Sequence, residues 1–317
     1  MVDHAPEAAS AQPYEIVSEH AELGFNQYGK AENRLVHVRR DGDVHHLTDV
    51  NVTSQLRGDF THVHTHGDNA HCVATDSQKN TVYSLARDGV GAPEEFALRL
   101  ADHFTRSYDW VNGGRWEVEQ YSWDRIVTEN GPHDHSFVRG GKEVRRTVVQ
   151  RDGEATFVVS GVTDLTVLKS SGSAFVGFVD DTYRTLADAT DRIMATDVTA
   201  WWSYDPDHVS GVDFDATYDS VRQIILSQFA ELHSLALQQT LWAMAVRVIE
   251  THEEVTEIRF SCPNNHHFTV DLSPFGQDNP NVVFFAADRP YGKIEASVTR
   301  KGVPSEPRAW NTVPAFA

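Results

Sequence analysis

Leu35-Val36-His37-Val38-Arg39-Arg40-Asp41-Gly42-Asp43-Val44-His45-His46-Leu47-Thr48-Asp49-Val50-Asn51-Val52 reads as two alternating runs about one turn. Leu35 to Arg40 and Val44 to Val52 interleave apolar and polar side chains, the period-2 pattern of strands with one buried face. Asp41-Gly42 accepts the positive φ angles of a type I′ turn, so the stretch predicts an antiparallel hairpin. Further on, Thr75-Asp76-Ser77-Gln78 has the form of a capping box and predicts a helix to about Ala86. Pro93 opens a second helix with Phe96, Leu100 and Phe104 on one face. Strand-like Trp116 to Val127 and Phe137 to Gln150 follow, giving the order strand, strand, helix, helix, strand, strand.

The second half repeats that order. Thr163 to Phe178 and Val198 to Ser203 read as strands, and a helical region spans about Tyr218 to Glu250 with a break at His233-Ser234. Val221, Ile225, Phe229 and Leu232 fit one helical face. Strands return at Val255 to Cys262, His267 to Leu272, Val282 to Ala286 and Gly292 to Thr299. Antiparallel strands with helices on one face make an α+β protein. The hinge falls near Asp152-Gly153, which divides the chain into a flexible N-terminal tail (1–18), two units (19–152 and 153–302) and a C-terminal tail (303–317).

Composition narrows the function classes. The 317 residues suffice for two domains, and 40% hydrophobic with 23% charged residues fits a soluble globular protein. A formal net charge of -19 without any long Lys/Arg run argues against nucleic-acid binding. An anionic substrate would need a local positive pocket. Cys72 and Cys262 are too few for a disulfide framework and read as reduced, buried thiols on strands. No apolar run reaches the roughly 20 residues of a membrane span. Met1 to Pro13 lacks the pattern of a signal peptide, and Pro314-Ala315-Phe316-Ala317 is not a peroxisomal tail, which points to a bacterial cytosol.

Three short words stand in fixed order: Tyr28-Gly29-Lys30, Ala74-Thr75-Asp76-Ser77-Gln78-Lys79-Asn80-Thr81, and Pro263-Asn264-Asn265-His266. Leu168-Lys169-Ser170-Ser171, leading to Phe175, and Arg192 lie between them. On these residues the chain resembles urate oxidase (uricase) of a bacterial, actinobacterial-like type, from about Tyr28 to Arg300. The resemblance implies tandem T-fold (tunnelling-fold) units whose sheets join between subunits into a barrel around a tunnel. It implies a cytoplasmic homotetramer with sites at subunit interfaces. It also implies oxidation of urate by O2 and water to 5-hydroxyisourate and H2O2, with no cofactor.

Urate is flat, polar and acidic, so its site needs a donor fork, an amide and an aromatic face. By resemblance, Arg192, Gln238 and Phe175 supply these. Leu237 also contacts substrate, and Leu186 and Ile294 wall the pocket. Lys30, Thr75 and His266 match the family's general base and proton shuttle, Asn264 the amide that holds oxygen or water, and Asp76 a backbone N–H donor at a helix start. The matched pattern brings Lys30, Thr75, Asp76 and His266 from one subunit and Phe175, Arg192 and Gln238 from a neighbour. Read singly, Phe175 is also an ordinary core aromatic, Arg192 a surface arginine and Thr75 a helix cap.

Two alternatives stay open on the sequence. His62, His64 and His66 alternate as on a strand, with His71 nearby and His133 and His135 as a second pair, a pattern that could hold zinc in a pterin or GTP-ring enzyme. The Lys30, Thr75 and Asn264 words do not belong to that chemistry, and the expectation is no metal. The other alternative is a non-catalytic purine-binding protein, which would not need Lys30 and Thr75 as a base pair.

Overall fold

A computed structural model of the chain describes residues 15–16, 18–287 and 289–313. Most of the tail expected over 1–18, and the last four residues, lie outside that set. The predicted hairpin forms: β1 (Tyr28–Asp41) pairs antiparallel with β2 (Val44–Gly58), with Asp41 opposite Val44. The turn is centred one residue later than Asp41-Gly42. Its inner pair is Gly42-Asp43, and only Gly42 takes a positive φ, 62°.

Three helices follow: α1 (Thr61–His66), α2 (Thr75–Ala86) and α3 (Pro93–Ser107). The capping box expected at Thr75 does not form. Ala74 is the cap residue, Thr75 is already helical, and the Gln78 side chain turns instead to the Val73 carbonyl (3.2 Å). Burial of Gln78 against β2 takes its amide away from the helix start. α3 begins as predicted, with Pro93 in its first turn and the Glu95 carboxylate accepting the Ala92 N–H (3.2 Å). Phe96, Leu100 and Phe104 are fully buried on one face.

β3 (Val111–Thr128), β4 (Gly131–Asp152), β5 (Ala155–Lys169) and β6 (Met194–Tyr204) come next. The strand expected over Thr163 to Phe178 is displaced: β5 starts earlier, at Ala155, and stops at Lys169. Gly172 (φ 77°) and Gly177 (φ 71°) bend the chain out of extended geometry beyond that point. α4 (Phe214–Glu231) and α5 (Leu237–Thr251) flank the predicted break at His233-Ser234. β7 (Val255–Asn264), β8 (His267–Thr269), β9 (Phe284–Ala286) and β10 (Gly292–Thr299) are the remaining strands among the described residues.

Eight strands form one antiparallel sheet in the order β1-β2-β3-β4-β5-β6-β7-β10, and β8 pairs with β9 beside it. At Asp152-Gly153 the chain turns as a hairpin, with Asp152 opposite Ala155, so the sheet runs unbroken between the two halves. The helices cover one face. Val52, Leu56 and Trp116 pack beneath the first helices, and Trp202, Ile258 and Phe260 beneath α4 and α5, in one continuous core. The opposite face is covered locally by the C-terminal segment, where Trp310 and Val313 pack with Phe157, Val159 and Trp201. Gln150 Nε2 fastens this segment by donating toward the carbonyls of Arg308, Ala309 and Asn311 (3.1, 3.1 and 2.7 Å). No helix among the described residues is long and apolar enough to cross a membrane.

Two further expectations change. His62, His64 and His66 sit on α1, not on a strand, because Phe60 and Gly67 bound a six-residue helix around them. On a helix, residues two apart diverge, and it is His62 and His66 that stack, with ring centres 4.6 Å apart. Among the described residues no three or more His, Cys, Asp or Glu side chains come together to hold a metal ion. Both cysteines are free, but only Cys262 is a buried strand residue; Cys72 is half-buried in the loop before α2.

Candidate active site

The first group of predicted residues gathers at the edge strand β1. Lys30 pairs with Ser54, whose side chain is fully buried beneath α2, so Lys30 shares the helix side of the sheet. A bulge follows immediately: Ala31 and Glu32 stand opposite Thr53, and Glu32 takes φ 56°. Buried Asn33 holds the bulge, donating to the carbonyls of Lys30 (3.2 Å) and Val52 (2.9 Å). Gly29 permits the close approach of β1 to β2, since a Cβ there would stand 1.8 Å from the Ser54 carbonyl oxygen.

The start of α2 is pinned to the same place. Tyr28 Oη accepts the Val73 N–H (2.7 Å), and Gln78 joins Val73 to Ser54. Thr75 and Asp76 are thereby set beside β1. The Asp76 carboxylate is occupied by Lys79 and Asn80 on its own helix; Lys79 holds it below the usual carboxylate range, with a smaller contribution from Lys30. Gln78 N–H is the first of the helix to bond back, to Ala74 O (3.1 Å), which leaves the N–H groups of Thr75 and Asp76 outside the helical ladder.

The second group lines a cleft of about 420 Å³ at the other end of the sheet, formed by the segment after β5 and the chain leaving β7. Phe175, Leu186, Arg192, Asn264 and His266 all face it. Asp191 braces one wall by accepting Ser171 Oγ (2.6 Å) and the Gly172 N–H (2.8 Å), which keeps its carboxyl below the ordinary range. A mutual backbone bridge ties Phe175 to Ala189 (2.7 and 3.0 Å), and Arg192 N–H donates to Ser173 O (2.7 Å). The Arg192 guanidinium lies 5.0 Å from the centre of the Phe175 ring, and burial lowers its pKa. Phe178 stacks on Phe175 with ring centres 4.7 Å apart.

Asn264 is the last residue of β7, between Thr196 of β6 and Gly292 of β10. His266 follows as the strand leaves the sheet and stacks against Phe268 (5.7 Å). A Cβ on Gly292 would lie 3.7 Å from Asn264 Cβ and 3.9 Å from His266 Nε2, so both side chains crowd one point. Burial pushes the His266 pKa below the usual histidine value, and the charge of Arg192 pushes the same way. Both effects favour the neutral ring beside a permanent cation.

His266 therefore groups with Phe175 and Arg192 within one chain, not with Lys30 and Thr75 as expected. The physical reason is sheet order. β1 is first and β7 seventh, six spacings of about 4.8 Å apart, or on the order of 29 Å along the sheet. Gln238 is exposed in the first turn of α5, Leu237 is buried in the core, and Ile294 packs against the core opposite Cys262; none of the three lines the cleft. Sequence reasoning passed over Asp191, Phe178 and Phe268. Phe268 carried a signal, since residues two apart share a strand face with His266.

Fold and cleft together define an α+β T-fold protein with an aromatic-walled cleft that carries the Arg192 guanidinium. The uricase family model matches residues 26–150 and 158–295. A uricase of Arthrobacter globiformis is 58% identical over 294 residues, covering 93% of this chain and 95% of that one. A uricase of Dictyostelium discoideum is 35% identical, covering 88% and 98%. The crystal structure of the Arthrobacter globiformis uricase superposes with a TM-score of 0.87, covering 92% of this chain and 99% of that one at 58% identity. This chain belongs to the uricase family; it is a urate oxidase, with urate and O2 as its substrates.

Proposed function

We propose that the chain oxidises urate without a cofactor, in sites completed between two copies of itself. The observation that carries this reading is the separation of two complementary residue groups to opposite ends of one open sheet. Lys30, Thr75 and Asp76 lie at the β1 edge, while Phe175, Arg192, Asn264 and His266 lie beside β7 and β10. A site using both groups needs a second subunit, edge to edge with the first. Such pairing also covers the outer edges of β1 and β10, the end strands of the described sheet. We place four copies in the assembly, following the family pattern. Two unpaired cysteines fit a reducing cytoplasm.

In this reading Arg192 forks onto urate oxygens and holds its negative charge, and Phe175 supplies an aromatic face. The free N–H groups at the start of α2 donate to the ring's far side. Gln238, Leu237 and Ile294 belong to the surroundings of the bound ring. Lys30, with Thr75, takes a proton from urate, and neutral His266 relays protons beside Asn264, which holds oxygen or water. Urate gives two electrons to O2, which leaves as H2O2, and water adds its oxygen to the ring carbon. The atoms balance as urate, O2 and H2O giving 5-hydroxyisourate and H2O2.

The test is urate consumption, O2 uptake and peroxide release measured together with a strong chelator present. Equal consumption of urate and O2 supports the reading; turnover that stops in chelator and returns with added metal overturns it. The shared site is tested by co-assembling Lys30→Ala with Arg192→Ala. Random mixing leaves roughly a quarter of interfacial sites intact, so activity returns toward that fraction. No recovery in verified mixed oligomers places each site within one chain.

A further inference from the structure

Asn264, Asn265 and His266, where the chain leaves β7, alternate between two clefts. Asn264 and His266 line the active cleft, while Asn265 faces a second cleft of about 660 Å³ together with Asp197 and Lys293. Asn265 is held at two points. Its backbone N–H donates to Ala195 O (2.9 Å), and its side-chain Nδ2 donates to Asp197 Oδ2 (2.8 Å). The other oxygen of Asp197 accepts from Thr166 Oγ1 on β5. The carboxylate therefore connects β5, β6 and the end of β7 at the residue lying between two cleft side chains. His267 Nδ1, on the next residue but one, bonds the Asn265 carbonyl (3.0 Å) and stiffens the same peptide.

We infer that Asp197 is a positioning residue for urate oxidation: by clamping Asn265 from behind, it sets the direction of Asn264 and His266 in the active cleft. Asp197 does not touch the cleft those residues line. Its effect passes through one side-chain hydrogen bond and the rigid backbone between neighbours. A misplacement of about 1 Å in a reacting group can cost about a hundredfold in rate, so a clamp on this peptide has leverage. The inference rests on Asn264 and His266 acting on substrate as proposed above.

The experiment compares Asp197→Ala, Asn265→Ala, the double variant and Asp197→Asn in the assembled full-length enzyme, beside His266→Ala. Each of the first two is expected to lower kcat by about tenfold or more, with KM and Tm close to the parent. Because both cut one bond, the double variant is expected to be no slower than the slower single. Asp197→Asn retains an acceptor for Asn265 and recovers most of the rate. Parent kcat in Asn265→Ala, or single losses that multiply in the double variant, overturns the inference. Should Asp197→Ala fail to fold, Asn265→Ala and Asp197→Asn still decide. If His266→Ala leaves kcat unchanged, the site reading falls and this inference with it; if His266→Ala is inactive while Asn265→Ala is normal, only this inference falls.

Discussion

The guanidinium of Arg192 lies 5.0 Å from the ring centre of Phe175, and Arg192 Nε is buried without an acceptor among the described residues. A buried donor left unmade costs about 1–3 kcal/mol, so an anionic ring that accepts from it gains that much on binding. Replacing Arg192 with Gln removes both charge and fork geometry. Urate affinity is expected to fall by about ten- to a hundredfold, read as the Kd of urate or of an unreactive analogue under anaerobic conditions. Unchanged affinity would take Arg192 out of the binding site.

Lys30 stands at a bulge whose backbone is held by buried Asn33. In the role of proton acceptor proposed above, it would contribute to the chemical step more than to binding. Lys30→Ala is expected to lower kcat by about 10²- to 10⁴-fold with little change in KM. Steady-state kinetics separate the two, and an effect confined to KM would reduce Lys30 to a binding group.

Gly29 has no room for a side chain, because its Cβ position is 1.8 Å from Ser54 O. Gly29→Ala must push β1 from β2 and carry Lys30 with it. The expected cost is about 1–3 kcal/mol of stability together with a loss of kcat. Urea unfolding and turnover are measured on the same sample; a variant with parental stability would show that the strands separate freely.

The relay role proposed for His266 carries a pH dependence. Burial disfavours its charged form and Arg192 adds repulsion, so its pKa lies below the ordinary value of about 6.5. The proton-accepting, neutral form therefore persists as pH falls past that value, and an acid limb in kcat governed by His266 lies below about pH 6.5. NMR titration of the ring, assigned by its absence in His266→Gln, checks the direction. A midpoint above 6.5 would contradict the cleft's electrostatics.

Trp310 anchors the C-terminal segment on the sheet face opposite the helices. Its Nε1 donates to Glu257 (3.0 Å), and Arg259 lies 3.9 Å from its ring centre. Trp310→Ala removes a buried aromatic and leaves the Glu257 carboxylate short of a donor. A loss of about 3–5 kcal/mol is expected, seen as a lower denaturation midpoint. A shift under about 0.5 kcal/mol, the size of an ordinary surface change, would mean the segment is only loosely held.

Some of the cleft was legible in the sequence. Phe175, Leu186, Arg192, Asn264 and His266, drawn from separate parts of the chain, all face it. Their joint recognition depended on family words, because an isolated Phe or Arg has bland explanations. Gln238 and Ile294 carried the same words yet lie outside the cleft of a single chain. Thr75 carried the pattern of a cap but became the first residue of its helix, because Gln78 found better partners on β2 and in the preceding loop.

What the amino-acid order determined alone was local. The alternation from Leu35 to Val52 made a hairpin, and Phe96, Leu100 and Phe104 made a buried helix face. Side chains two apart on a strand, or three to four apart on a helix, share a side whatever the rest of the chain does. Only the tertiary structure decided that His266 joins Arg192 while Lys30 lies six strands away. It also decided that Asn265 turns its back on the cleft to meet Asp197. Those are contacts between residues far apart in sequence, selected by the packing of the whole sheet and its helices, and no window of neighbouring residues contains the energy that chooses them.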